Sequence, residues 1–252
     1  MSTKLLPHTK LAVGSVTPTV LVCGDPERVR RVANCLEKPQ LLAEWREYVT
    51  YRGVYHGRAI TVCSHGIGAP GAAIAFEELI EAGAKRIVRI GSCGSLQSYV
   101  QPGDLVIATA AVQRTGYGRE VVPKGYPAVA DMELTLALRD TAVALEYTHH
   151  TGIVLTRDAF FTGVNPAGAP RHPQMAEARV LAVEMECAAL FLVGSLRQIP
   201  TAAILAVDGV VTSEPDMMET FDPHREVVQE GIRRAIQVAL EMVGQKVGRE
   251  RF

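Results

Sequence analysis

A chain of 252 residues, 48% hydrophobic and 21% charged, has the size and balance of one soluble α/β domain spanning 1–252. Its formal net charge of -1 argues against a nucleic-acid groove or a membrane-binding face. No run approaches the roughly 18 apolar residues that cross a bilayer, and Met1-Ser2-Thr3-Lys4 leads into no apolar segment of the signal-peptide kind. Five cysteines (Cys23, Cys35, Cys63, Cys93, Cys187) without CxxC spacing read as reduced, buried thiols, so a cytoplasmic home is expected.

His8 follows Pro7 in a mixed, proline-containing arm and reads as a solvated side chain. Thr19 to Cys23 is an apolar strand stopped by Gly24-Asp25-Pro26. Asp25 suits an N-cap and Pro26 a first helical position. Arg28 then falls in the first turn, where unpaired N–H groups and the dipole invite an anion; a solvated helix arginine is the alternative. Arg46, between Glu44 and Glu47, would pass as half of a surface ion pair. A strand pair follows, turning at Gly57 before Ala59 to Cys63. Ser64 to Gly71 is a Gly-rich turn that feeds a helix over 72–80, and it does not match GxGxxG.

The apolar run 84–90 reads as a buried strand carrying Arg89 near its end. A buried guanidinium keeps its charge, so Arg89 needs either an anion or a core carboxylate. The small residues after it, Gly91, Ser92, Cys93, Gly94 and Ser95, read as a turn that could seat phosphate at the carboxyl end of a sheet. Further strands are expected at 103–108, 151–156, 180–183 and 202–207, and helices at 131–146 and 224–244. Phe160 and Phe161 are either core or a stacking surface. Residues 163–175, rich in Gly and Pro, look like a mobile loop or lid. Glu184 and Glu186 flank Met185 at a strand end, as a solvated helix start or as inward carboxylates suited to paired sugar hydroxyls. Asp208 ends the most apolar strand, where it either caps a turn or works as an acid.

In order and spacing these pieces resemble the purine nucleoside/uridine phosphorylase superfamily over nearly the whole chain. The matching segments are 24–28 (Gly-Asp-Pro-Glu-Arg), 46–48 (Arg-Glu-Tyr), 66–68, 89–95, 183–186 and 207–209 (Val-Asp-Gly), the last closest to protozoan purine enzymes. The resemblance implies a three-layer α/β/α fold around a mixed, partly barrel-like central sheet. It assigns phosphate to Gly24, Arg28, Arg46, Arg89 and Ser92. Ribose falls to His8, Met185 and Glu186, and the base to Cys93, Gly94, Phe160, Phe161, Glu184 and Asp208. His8 and Arg46 would serve a neighbouring subunit's site, so a dimer-built hexamer is expected. No cofactor is implied beyond phosphate as co-substrate. No metal is expected, because the serine that some relatives use at a cation site stands here as Gly71.

The implied reaction is reversible phosphorolysis of a nucleoside to free base and ribose 1-phosphate, with Asp208 supplying a proton to purine N7. Uridine phosphorylases carry Gln-x-Arg after the aromatic pair; here 163–168 reads Gly-Val-Asn-Pro-Ala-Gly. They also lack the aspartate at 208, so purine is favoured. In bacterial purine enzymes a helper arginine follows the aspartate closely; here the nearest is Arg225, which leaves proton donation open. A hydrolytic nucleosidase and a non-catalytic nucleoside-binding protein are the rival readings.

Overall fold

The computed structural model describes residues 4–161, 171–211 and 222–244. Strand β1 (Thr19–Cys23) leads into helix α1 (Pro26–Ala33), where Asp25 accepts a hydrogen bond from the Glu27 N–H as N-cap. Then come β2 (Glu37–Trp45), β3 (Tyr48–Tyr55), β4 (Arg58–Ser64), α2 (Ala69–Glu81) and β5 (Arg86–Ser95). The β3–β4 hairpin turns on His56 and Gly57, both at positive φ (46° and 75°), as a two-residue turn matched to strand twist requires. Next are β6 (Leu105–Arg114), α3 (Gly116–Val121), β7 (Ala128–Val129), α4 (Met132–Ala144) and β8 (His149–Arg157). The chain continues through α5 (His172–Glu177), β9 (Ala182–Glu184), α6 (Cys187–Arg197), β10 (Thr201–Val210) and α7 (Glu226–Gly244).

Sheet order is β10-β6-β8-β9-β5-β1-β4-β3-β2, with β7 on β6, and β10 also pairs with β5. Five strands (β5, β10, β6, β8, β9) therefore close a ring, and β1, β4, β3 and β2 extend from it. Strands β4, β1, β5 and β10 run parallel to one another, as do β6, β8 and β9, while β5–β9, β10–β6, β3–β4 and β2–β3 are antiparallel. This is the expected mixed, partly barrel-like sheet between helical layers.

Side-chain alternation builds the layers. Val20 and Val22 of β1, Ile87 of β5, and Leu205 and Val207 of β10 pack with Phe76 of α2 and Phe191 of α6. The intervening Leu21, Val88, Ile90, Ile204 and Ala206 pack with α1, α4 and α7. Strands buried on both faces are apolar almost throughout. Each fully buried large side chain, such as Phe76 or Phe191, contributes about 1.5–3 kcal/mol. In α7, Val228, Ile232, Ala235, Ala239 and Met242 face the core as their spacing predicts.

Several expectations need correction. Residues 91–95 form no turn, because β5 continues to Ser95 through pairing with β10 and β9. Asp208 does not end its strand; β10 runs on to Val210, with the register shifting between Val207 and Gly209. Strand β2 is a strand the sequence reading did not separate, since its residues are mostly exposed and lack alternation. Cys35 is exposed, whereas the other four cysteines are buried and all are free thiols. Most of the expected lid, 163–170, lies outside the described residues, and 172–177 is helical. No described helix is long and apolar enough to cross a membrane.

Candidate active site

The carboxyl ends of β1, β4, β5, β8 and β10 converge on a cavity of about 950 Å³, the place where α/β sheets present ligands. Its lining includes Gly24, Arg28, Arg89, Ser92, Cys93, Gly94, Phe160, Phe161, Glu184, Met185, Glu186 and Asp208. Every residue expected from the chain's own site is therefore brought together. His8 and Arg46, the two expected to serve a neighbour, are not among the lining residues. Arg46 sits exposed at positive φ (55°) between β2 and β3. Instead of solvating freely, His8 holds its Nδ1 2.7 Å from Glu78, whose carboxylate also accepts from Thr9.

Arg89 lies on the face of β5 that points toward α6, sharing parity with Ile87 and Gly91. It is 3% exposed and ion-paired with both Glu186 and Glu184. Burial works against its charge, but Glu186, Cys187 and Glu184 outweigh it and raise the pKa. Its Nε has no partner. The Arg-x-Gly spacing has a steric cause: a Cβ at 91 would stand 2.3 Å from Arg89 Nη1 and 2.7 Å from Leu205 Cδ2. Gly91→Ala is therefore expected to push the guanidinium off Glu186 and lose about 1–3 kcal/mol, readable by denaturant unfolding. Unchanged stability would mean that Arg89 has room the packing does not show.

The two carboxylates at the end of β9, Glu184 within it and Glu186 just beyond, have different tasks. Glu184 accepts from the N–H groups of Glu186 and Cys187, each at 2.8 Å, and from the Thr156 hydroxyl. It thereby anchors the positive end of α6, and both its oxygens are engaged within the protein. Glu186 accepts from Gly68 N–H at 2.6 Å and from Arg89. Burial raises its pKa against the opposing pull of Arg89. Neither carboxylate is a solvated helix start.

Arg28 is half-buried, and its Nη1 donates to the Ile90 carbonyl at 3.3 Å. No ion pair to Arg28 occurs among the described residues. Burial, followed by the like charge of Arg89, lowers its pKa. Of the guanidinium groups on this cavity, Arg28 and Arg89 stand close enough to repel each other, and Arg28 has no carboxylate partner among the described residues, an arrangement that favours an anion. Asp208, 9% exposed, has its pKa raised to about 6 by burial, against its own backbone N–H, Arg28, Arg225 and a hydrogen bond from Ser92. Arg225, though far along the chain, donates to the Asp208 carbonyl at 2.6 Å. Phe160 and Phe161 are 42% and 51% exposed, set edge to face at 5.1 Å; they are wall, not core. Sequence reasoning missed Arg157 and His172, which also line the cavity.

The phosphorylase superfamily profile matches residues 18–244. The chain is 37% identical over 235 residues to a purine nucleoside phosphorylase of Plasmodium vivax, covering 93% of this chain and 94% of the other. It is 35% identical over 243 residues to a uridine phosphorylase of Treponema pallidum, covering 94% and 92%. The crystal structure of Toxoplasma gondii purine nucleoside phosphorylase in complex with immucillin-H superposes with a TM-score of 0.88 at 36% identity, covering 96% of both chains. The chain belongs to the phosphorylase superfamily. Within it, the protein is an enzyme of the nucleoside phosphorylase class, the pentosyltransferases.

Proposed function

We propose that the enzyme catalyses reversible phosphorolysis of purine ribo- and deoxyribonucleosides in purine salvage, yielding free base and (deoxy)ribose 1-phosphate. The observation that carries the purine reading is Asp208, a buried carboxyl with a pKa near 6 on the cavity wall. A carboxyl poised close to working pH can protonate N7 as the glycosidic bond breaks. The electrons of that bond then leave with the base, and positive charge grows on the sugar. Phosphate, held by Arg28, Arg89, Ser92 and the Gly24 backbone, stabilises that charge and attacks C1′. Met185 lies against the sugar, Glu186 takes its 2′- and 3′-hydroxyls, and the base stacks by Phe160 or Phe161 beside Cys93 and Gly94. Arg46 and His8, absent from their own chain's cavity, complete the site of a neighbour in a dimer-built hexamer. Inorganic phosphate is the only co-substrate, no resident cofactor or metal takes part, and the compartment is the cytoplasm.

Uridine phosphorolysis is the second reading, favoured by relatives named uridine phosphorylase at similar identity. The 163–168 segment that bears on it lies outside the described residues. The test is base release from inosine, guanosine, adenosine and uridine, each with and without phosphate. Release only with phosphate, fastest from a purine, is expected. Release without phosphate would mean hydrolysis, faster uridine turnover a pyrimidine enzyme, and no release a binding protein.

A further inference from the structure

Arg157 is a second strand-end arginine at the cavity, and the reaction described above leaves it without a task. It closes β8 and lines the same cavity as Asp208 and Phe160. In the ring, β9 separates β8 from β5, the strand that bears Arg89. Thr156, the residue before it, is committed to Glu184 and α6. Arg157 Nη1 stands 3.2 Å from His172 Nε2, and His172 Nδ1 stands 3.1 Å from the Val211 carbonyl.

These two contacts fix the imidazole. A guanidinium carries only donors, so Nε2 of His172 must accept; Nδ1 then bears the hydrogen and donates to Val211. A neutral histidine from α5 is thus braced on the residue after β10 and holds the fork of an arginine from β8. The other donors of that fork have no hydrogen-bond partner among the described residues. Ala159, Phe160, Phe161 and Val211 form the neighbouring wall. A fixed cationic donor beside an aromatic wall suits a flat ring that carries an exocyclic oxygen.

We propose that Arg157 determines base specificity by donating to an exocyclic carbonyl oxygen of the leaving base, with His172 as its positioning residue. The proposal rests on the phosphorolysis reading above. A donor that gives up its water when the base docks discriminates against a base without that oxygen, because the donor is then left unpaired. An amino group at the same position would set donor against donor.

The experiment compares kcat/KM at saturating phosphate for inosine, uridine, adenosine and purine riboside, which lacks the 6-oxygen. It uses wild type, Arg157→Met, Arg157→Lys and His172→Leu, with the KM for phosphate and the thermal midpoint measured for each. Arg157→Met is expected to lower the inosine to purine riboside ratio by about 10–100-fold, with the phosphate KM unchanged and uridine falling alongside inosine. Arg157→Lys and His172→Leu should give smaller falls in the same ratio. Binding of hypoxanthine against unsubstituted purine, by calorimetry, gives the same comparison without turnover. An unchanged ratio in an active enzyme overturns the assignment, as does a uniform fall across all substrates or a raised phosphate KM. A wild-type enzyme that releases no base from any nucleoside sinks the phosphorolysis reading itself, and this assignment with it.

Discussion

Replacing Asp208 by asparagine is expected to lower kcat/KM for purine nucleosides by about 10²–10⁴-fold while making the folded protein more stable at neutral pH. Both effects come from one buried carboxyl. Its ordinary pKa of 3.8 rises to about 6 in the fold, chiefly through burial, so the folded chain keeps a proton that the unfolded chain gives up. Stability from this group is therefore fully present below pH 4 and lost as pH climbs to 6. At about 1.4 kcal/mol per unit the loss comes to roughly 3 kcal/mol. Asp208→Asn has no such titration. The stability difference between variant and wild type, from denaturant unfolding at pH 4, 5, 6 and 7.5, should shift in the variant's favour by about that amount. In kinetics at saturating phosphate, wild-type kcat/KM for inosine should decline with rising pH on a limb at or above 6, because a bound dianion holds the proton tighter. A flat profile, or purine turnover untouched by the substitution, would remove Asp208 from proton delivery.

Arg89→Met should have the second large effect, this time on fold and chemistry together. It strands Glu186 and Glu184 among buried neighbours, and breaking a buried pair by removing one partner costs about 3–5 kcal/mol. Burial already raises the Glu186 pKa, and Arg89 is the largest influence opposing that rise, ahead of the Gly68 N–H and Arg28. The destabilisation should accordingly be greater at pH 8 than at pH 5, where Glu186 can take a proton. Phosphate-dependent turnover should fall by at least about 100-fold. Arg89→Met combined with Glu186→Gln should recover much of the lost stability in unfolding, which traces the loss to the stranded carboxylate. Near-normal activity in a folded Arg89→Met protein would end the view that this guanidinium grips phosphate.

Much of the site was legible because its residues are costly where they stand. An arginine in an apolar strand, two carboxylates at a strand end and an aspartate in the most apolar run are each awkward locally, and the cavity brings them together. The residues that sequence reasoning missed carry weaker versions of that signal. Arg157 also closes an apolar run, but an arginine at a strand end is ordinarily solvated and gives little signal of its own. Arg225 reaches Asp208 across 17 positions of chain, a proximity no spacing rule reports. No turn follows Arg89, although glycine and serine commonly punctuate a chain. Their smallness instead serves close packing within a strand: Gly91 lies under the Arg89 guanidinium and Gly94 against Val211. Strand β2 escaped because it is exposed on both faces, so burial leaves no period in its sequence.

Closing five strands into a ring also bears on solubility. A strand with an unpaired backbone margin is a template for another chain, and the closure of β5, β10, β6, β8 and β9 removes that hazard from the most apolar strands. Apart from the two-residue β7, the outermost position among the described strands falls to β2. That strand carries Glu37, Lys38, Pro39 and Glu44, with Lys38 at positive φ (51°) and irregular pairing beside it. Charge, proline and a broken ladder are what discourage docking by a second sheet, so the chain places its least adhesive strand where strangers can reach it.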